Sequence, residues 1–151
     1  MTSILIIAHA PLASALAAVA AHTYPDCGAS LRAMDVQPGD SVDTVEASAR
    51  DLIGGPGVDG GTLVFVDAFG ATPCNAATRL LDRPDVRVVA GVNVPMLWRT
   101  LCYGTRESLD TMVARAVAGA TQGVMPVSVT RPQTQAQKTP SHDQTERHDQ
   151  Q

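Results

Sequence analysis

The sequence predicts an α/β fold with a mainly parallel, doubly wound sheet of about four strands and helices on both of its faces. Short apolar runs of strand length recur along the chain, and segments with helical periodicity separate them. Only 3% of the residues are aromatic, so the core has to be built from small and aliphatic side chains in close layers. With 151 residues, the chain can bury one such core and hardly two.

The first strand is the apolar run at residues 3–8, and His9 closes it. Ala10 and Pro11 then open a helical stretch over residues 12–21. His9 is therefore expected at the carboxyl edge of the sheet, beside a helix N-terminus, where open α/β sheets place their ligands. A histidine there can act as a base, a metal ligand or a phosphoryl acceptor, or it can simply end a buried strand. Its position alone leaves these alternatives open.

The second strand is predicted at residues 29–36, and the Pro38-Gly39 pair after it indicates a turn. A helix follows, with Asp40 or Ser41 as its N-cap. Its apolar residues recur at spacings of three and four: Val42, Val45, Ala49, Leu52 and Ile53. The glycine-rich residues 54–57 end this helix.

The third strand is residues 62–66, a continuous apolar run typical of a central parallel strand, and Asp67 follows it. Residues 86–90 repeat the pattern as the fourth strand, and residues 96–103 and 109–120 are predicted helices. Residues 124–129 form a last, short strand candidate. Pro126 cannot donate to a strand ladder, so this strand fits only a sheet edge. Gly123 before it is able to take the left-handed turn that redirects the chain.

The composition changes after residue 129. Residues 130–151 are rich in Gln, Thr, Ser, Pro, Asp and His, and contain no apolar side chain larger than alanine. We therefore predict one domain at residues 1–129 and a disordered, linker-like tail at residues 130–151. His142 and His148 lie in this tail without a cage of carboxylates and cysteines, so we expect no metal.

The net charge and the cysteine content further narrow the class of protein. A net charge of −4 without a Lys/Arg cluster argues against nucleic-acid binding. No apolar run approaches the ~20 residues that span a bilayer, and no basic leader begins the chain, so we expect a cytoplasmic protein. Cys27, Cys74 and Cys102 are odd in number and lack CxxC spacing, so we expect reduced cysteines that serve in packing.

A second polar segment follows the third strand. Gly70 permits a tight turn, Thr72 is a favourable N-cap, and Pro73 fits the first helical position. Free N–H groups at this helix start, together with the threonine hydroxyl, predict an anion site that needs no lysine. The loop residues expected around a bound phosphate are Ala68, Phe69, Gly70 and Ala71.

Asp67 and His9 are predicted to meet. If the third strand lies next to the first, the two residues end adjacent parallel strands at the same edge. The carboxylate can then hold one imidazole nitrogen as N–H and leave the other nitrogen exposed as a nucleophile.

Over about residues 2–129, the chain resembles the IIA component of the mannose/fructose/sorbose family of the bacterial sugar phosphotransferase system. The resemblance rests on His9, on residues 66–77 (VDAFGATPCNAA) and, most specifically, on residues 90–97 (AGVNVPML). It implies that His9 accepts a phosphoryl group from the phosphocarrier HPr and passes it to a IIB component. It further implies that Asp67 supports the histidine and that Thr72, where the family often has serine, contacts the phosphoryl group. Ala10 and Ala71 stand where many members have glycine.

The resemblance also implies a phosphotransferase with a phosphohistidine intermediate, no cofactor, and at most peripheral association with a membrane complex. A homodimer is implied, in which a terminal antiparallel strand is exchanged. The tail resembles the linker that joins IIA to IIB in some members. A separate IIB component, or a regulatory partner that reads the charge on His9, is therefore expected.

Three other functions share parts of the pattern. A IIA-like subunit that phosphorylates dihydroxyacetone kinase would use the same histidine and fold, although residues 90–97 favour the sugar branch. A flavodoxin-like binding module would use the same crevice, but no GxGxxG motif or P-loop lysine follows the first strand. A histidine phosphatase would need an arginine directly before its histidine, and here Ala8 precedes His9.

Overall fold

A computed structural model describes residues 2–27, 31–56, 60–103 and 107–128, which form a parallel sheet between two helical layers. The strands are β1 (Ser3–His9), β2 (Leu31–Val36), β3 (Thr62–Val66) and β4 (Val86–Ala90). The helices are α1 (Leu12–Thr23), α2 (Val42–Ile53), α3 (Thr72–Arg79), α4 (Val94–Thr100) and α5 (Leu109–Gln122), with a short 3₁₀ helix at Leu80–Asp82. The predicted α/β class with a parallel sheet is confirmed.

The strand order is β2-β1-β3-β4, and every pairing is parallel. The predicted neighbourhood of the first and third strands is therefore confirmed. In their register, Ile7 lies opposite Val66. His9 and Asp67 follow that pair by two residues and one residue, so both side chains reach the carboxyl edge of the sheet.

Both faces of β1 are covered. Ile4 and Ile6 belong to the core shared with α1, α4 and α5, whereas Leu5 and Ile7 belong to the core shared with α2 and α3. All four side chains are at most 1% exposed. Because a strand between two helical layers buries both sets of side chains, its sequence is continuously apolar instead of alternating.

The bounds of the elements follow the prediction closely in the middle of the chain. Strands β3 and β4 have the predicted bounds, and Ser41 is the N-cap of α2, where it accepts from Thr44 N–H. Residues 28–30, at the predicted start of β2, lie outside the described residues. Within the described ranges, no helix is long and apolar enough to cross a bilayer.

Helix α4 differs from the prediction at both ends, and α5 only at its end. Helix α4 begins at Val94, earlier than predicted, because Asn93 accepts a hydrogen bond from the Met96 N–H at 2.9 Å and caps the helix. It ends at Thr100, before the predicted end at residue 103. Helix α5 continues two residues beyond residue 120, to Gln122.

The predicted last strand is not part of the sheet of the single chain. Described residues 124–128 extend from α5 without strand pairing, and Val127 is 99% exposed. Gly123 does not take the left-handed turn, since its φ is −79°. A Cβ there would lie 2.3 Å from Pro95 Cγ, so close packing is what requires glycine. Val129 and the tail lie outside the described residues, and strand exchange in a dimer stays a prediction.

The expectation of three reduced cysteines is wrong for two of them. Cys27 and Cys102 form a disulfide, with their Cα atoms 5.3 Å apart. The bridge joins the turn after α1 to the turn after α4. Cys74 is free and buried. Because the bridged residues are 75 positions apart in the sequence, no local spacing indicates the pairing.

Candidate functional site

His9 and Asp67 meet at the carboxyl edge of the sheet. Asp67 Oδ2 lies 2.6 Å from His9 Nδ1 and accepts the His9 backbone N–H at 3.0 Å. The other oxygen, Oδ1, accepts the Ala68 backbone N–H at 2.8 Å. The two backbone contacts hold the carboxylate in place, and the carboxylate in turn orients the imidazole ring.

The histidine is exposed, and the aspartate is not. The His9 side chain is 54% exposed, against 12% for that of Asp67. Because an ionised carboxylate only accepts hydrogen bonds, Nδ1 donates the proton, and Nε2 of the neutral ring keeps its lone pair. An accessible imidazole with one nitrogen fixed as N–H is suited to nucleophilic attack through the other.

The hydrogen bonds around Asp67 keep it ionised. Burial raises the pKa of this carboxyl group, but the bonds from the His9 backbone, the His9 ring and the Ala68 backbone lower the pKa by more. The pKa of Asp67 therefore lies below its ordinary value. At neutral pH, the group is a carboxylate that can balance positive charge on the ring.

This shift predicts how the pair responds to acid. A depressed folded-state pKa means that the contact stabilises the protein above the unfolded-state pKa and is lost as the pH falls through the folded-state value. We expect the Asp67 carboxyl resonance, followed by NMR, to titrate with a midpoint below the ordinary ~3.9. In a His9→Ala variant, which keeps the backbone N–H, the midpoint should rise part of the way. A midpoint at or above ~3.9 in the wild-type chain would contradict the contact.

The loop after Asp67 leads into a helix start that has no side-chain cap. Gly70 has a φ of +81°, which favours glycine, and Asn75 Nδ2 donates to its carbonyl at 3.3 Å. The prediction that Thr72 is the N-cap is wrong. Ala71 holds that position, with an extended backbone and a carbonyl that accepts the Asn75 N–H at 2.9 Å, so Thr72 is the first helical residue.

Of the helices α1 to α4, which begin at this edge, α3 differs in having no side-chain acceptor at its start. Side-chain oxygens of Asp35, Ser41 and Asn93 accept N–H groups at the starts of α1, α2 and α4. Helix α3, which follows Ala71, has no side-chain cap. Its first N–H groups therefore donate to no capping side chain, and they lie at the positive end of the helix dipole.

Sequence reasoning missed Asp35. This residue, near the end of β2, accepts the Ser14 N–H at 3.1 Å and so anchors the helix that follows His9. Hydrogen bonds from Ser14 lower the pKa of Asp35 despite some desolvation. The available signal was Pro11: it is the N-cap residue before α1 and has no capping side chain, so an acceptor from another segment was needed.

Residues 90–97 serve the framework of the site. Gly91 turns the chain at a φ of +88°, and Asn93 both caps α4 and donates to the Ala120 carbonyl of α5 at 3.2 Å. Met96 and Leu97 are each 1% exposed. Among the hydrogen bonds of the described residues, none joins this block to the His9 or Asp67 side chain. The block therefore holds β4, α4 and α5 together next to the site.

The comparisons with known proteins agree with this architecture. The family model for the fructose IIA component of the phosphotransferase system matches residues 3–117. Over 93 residues, the chain is 36% identical to the mannose-specific EIIAB component of the phosphotransferase system of Escherichia coli K12. That match covers 60% of this chain and 29% of the relative, so the matched region spans less than a third of the longer protein.

Two solved structures share the fold. Component EIIA from Streptococcus agalactiae superposes with a TM-score of 0.73 at 22% identity, covering 83% of this chain and 97% of the other. The mannose/sorbose specific IIA subunit from Enterococcus faecalis gives 0.76 at 22% identity, covering 86% and 97%. These structures show the common fold, and the family match over residues 3–117 confirms the resemblance seen in the sequence: the chain belongs to the mannose/fructose/sorbose family of IIA components of the sugar phosphotransferase system.

Proposed function

We propose that this protein is a phosphoryl carrier that accepts a phosphoryl group from HPr on His9 and passes it to a IIB component. The observation that supports this role is the 2.6 Å contact of Asp67 with Nδ1 of an exposed, strand-ending histidine in a chain of this family. It leaves Nε2 as the reacting nitrogen. Residues 1–129 form the proposed IIA domain, and residues 130–151 its linker-like tail.

In the proposed step, the Nε2 lone pair attacks the phosphorus of phosphorylated HPr. The new N–P bond forms as the N–P bond to the donor histidine breaks, and that electron pair returns to the donor nitrogen. The proton on Nδ1 stays in place. Asp67 balances the positive charge that develops on the ring, an arrangement similar to the aspartate of a catalytic triad.

The phosphoryl oxygens are proposed to bind at the start of α3. This helix start lacks a side-chain cap, and the loop of Ala68, Phe69, Gly70 and Ala71 leads into it directly from Asp67. Thr72, the first helical residue, would add a hydroxyl contact. Backbone N–H groups at a helix start stabilise an anion although they carry no full positive charge. No ion pair therefore has to be broken when the phosphoryl group is passed on.

The role is tested by incubating the protein with enzyme I, HPr and labelled phosphoenolpyruvate. We expect a label that depends on HPr and is labile in acid and stable in base, as a phosphohistidine is. Absence of label, or label that forms without HPr, would overturn the proposal. Adding a IIB component should then discharge the label. Discharge to a dihydroxyacetone kinase instead would favour that alternative, and retention of the label in both cases would favour a regulatory role.

Asp67→Asn should slow phosphoryl transfer without stopping it. Asparagine keeps the shape of the side chain but removes the charge that balances the ring. A hydrogen bond to a charged group contributes about 1.5–3 kcal/mol, so transfer should slow by about 10- to 100-fold in rapid-quench measurements. Asp43→Asn is a suitable control, since it removes the same charge from an exposed carboxylate paired with Arg79. Equal rates in the Asp67 variant and the wild type would refute the orienting role.

Thr72→Ala should weaken retention of the phosphoryl group. Loss of one hydrogen bond of about 1 kcal/mol predicts that spontaneous hydrolysis of the label becomes roughly five times faster. Thr72→Ser keeps the hydroxyl and should behave like the wild type. If alanine and serine give the same half-life as threonine, the phosphoryl group is bound elsewhere.

This role also implies a cellular location and an oligomeric state. Because its donor HPr is a cytoplasmic protein, we infer a cytoplasmic location with at most peripheral contact with a membrane complex. We further infer a homodimer, in which the apolar residues after α5 are covered by the second copy.

A further inference from the structure

The Cys27–Cys102 disulfide lies at the end of the molecule opposite His9. Helix α1 begins next to His9 and runs back along the sheet, and Cys27 follows it, shortly before Leu31 pairs with Ile4 near the first residue of β1. Helix α4 likewise begins beyond the carboxyl end of β4, and Cys102 follows its last residue, Thr100. The bridge therefore joins the distal ends of two helices that both start at the carboxyl edge of the sheet.

The two sulfur-bearing residues differ in accessibility. Cys102 is exposed, whereas Cys27 is half-buried and packs against the core beneath α1, α4 and α5. The third cysteine, Cys74, is 5% exposed and belongs to the core on the other face of the sheet. A small thiol can thus approach the bridge at Cys102, and no other cysteine of the chain is placed to exchange with it. Exposed disulfides are the ones that are readily reduced.

We propose that Cys27 and Cys102 form a reversible redox modification site that takes a small-molecule disulfide of the glutathione class as its oxidant. This inference depends on the proposed function only for the cellular location of the protein. A carrier served by HPr works in the cytoplasm, where glutathione keeps most thiols reduced and where disulfides are usually transient or redox-sensing. A bridge between an exposed and a half-buried cysteine fits such a responsive pair better than a permanent crosslink.

The chemistry balances with one molecule of oxidised glutathione. The Cys102 thiolate attacks one of its sulfurs, the glutathione S–S bond breaks, and one glutathione thiolate leaves and is protonated. The Cys27 thiolate then attacks the Cys102 sulfur of the mixed disulfide and expels the second glutathione. The two protein thiols lose two electrons and two protons, and the glutathione disulfide gains both. Excess reduced glutathione reverses the same steps.

Closing the bridge should make the fold more resistant to heat without changing the reaction at His9. The crosslinked residues are 75 positions apart and enclose every element from β2 to α4, so the bridge restricts a large part of the unfolded chain. Long loops give the largest stabilisation of this kind, and we expect the midpoint of thermal unfolding to rise by about 10 °C on oxidation. His9 lies at the other end of α1, so phosphoryl acceptance should be equal in both states.

The test uses the full chain equilibrated in buffers with different ratios of oxidised to reduced glutathione. Alkylation in denaturant followed by mass spectrometry should count three thiols in the reduced chain and one in the oxidised chain. The thermal midpoint should follow that count. The shift should persist in Cys74→Ala and vanish in Cys102→Ser and Cys27→Ser.

Several results would overturn the proposal. These are a bridge that never forms, a bridge that persists at every glutathione ratio, glutathione retained on Cys102 alone, or a thermal midpoint that does not depend on the thiol count. HPr-dependent labelling is measured on the same samples. Loss of labelling in both redox states would count against the proposed function and would leave the redox result unaffected.

Discussion

His9→Ala is expected to abolish HPr-dependent phosphorylation and to leave the fold intact. The ring is 54% exposed and ends its strand, and His9 is absent from both buried cores. Removing the imidazole ring loses its hydrogen bond with Asp67, which contributes about 1 kcal/mol to the free energy of unfolding, and it deletes no buried volume. Circular dichroism should therefore match the wild type while the labelling falls to background.

A matched control is His22→Ala. His22 lies in the last turn of α1 and is exposed, so the substitution removes another exposed imidazole ring away from the site. It should label like the wild type. Full labelling of the His9→Ala chain would show that the phosphoryl group is attached to another residue, and the assignment of the site would be wrong.

The second large effect is expected on assembly. Removing residues 130–151 should leave a dimer in light scattering, whereas removing every residue from Gly123 onward should give a monomer or an aggregate. The apolar residues after α5 are highly exposed to solvent in the single chain: Val124 is 76% exposed, Met125 66% and Val127 99%. A short segment with Pro126 has no stability as a strand alone, and an edge position in a second copy would cover it.

Point variants separate loss of the interface from loss of the fold. Val127→Asp introduces a charge at a side chain that has no packing to lose in the single chain, yet it should dissociate an exchanged dimer. Leu81→Asp places the same charge on an exposed side chain in the 3₁₀ helix after α3, 49% exposed, and should leave the dimer unchanged. A stable dimer in the chain that ends before Gly123 would refute the exchange.

Several features of the fold and the site are predictable from the sequence because they depend on neighbouring residues. The runs at Thr62–Val66 and Val86–Ala90 have the observed bounds. Every residue of β3 is buried, and a parallel strand covered on both faces is almost continuously apolar. His9 and Asp67 could be expected to meet because each closes such a run, and parallel neighbours end at the same edge. The roles of these residues in transfer remain predictions.

Other features depend on contacts between distant segments. Asp35 anchors the start of α1 across 21 positions, and Cys27 and Cys102 meet across 75, distances over which no local pattern extends. Gly123 was expected to turn the chain, but it is needed because Pro95 packs where a Cβ would lie.

What the sequence by itself determined is therefore the order of strands and helices along the chain and the bounds of β3 and β4, since these follow from short-range periodicity and turn chemistry. Only the tertiary structure decided which helix start was left uncapped, which cysteines paired and why Gly123 is a glycine. Each of these depends on how closely separate elements pack, and packing distance is a property of the folded chain that no local stretch of residues specifies.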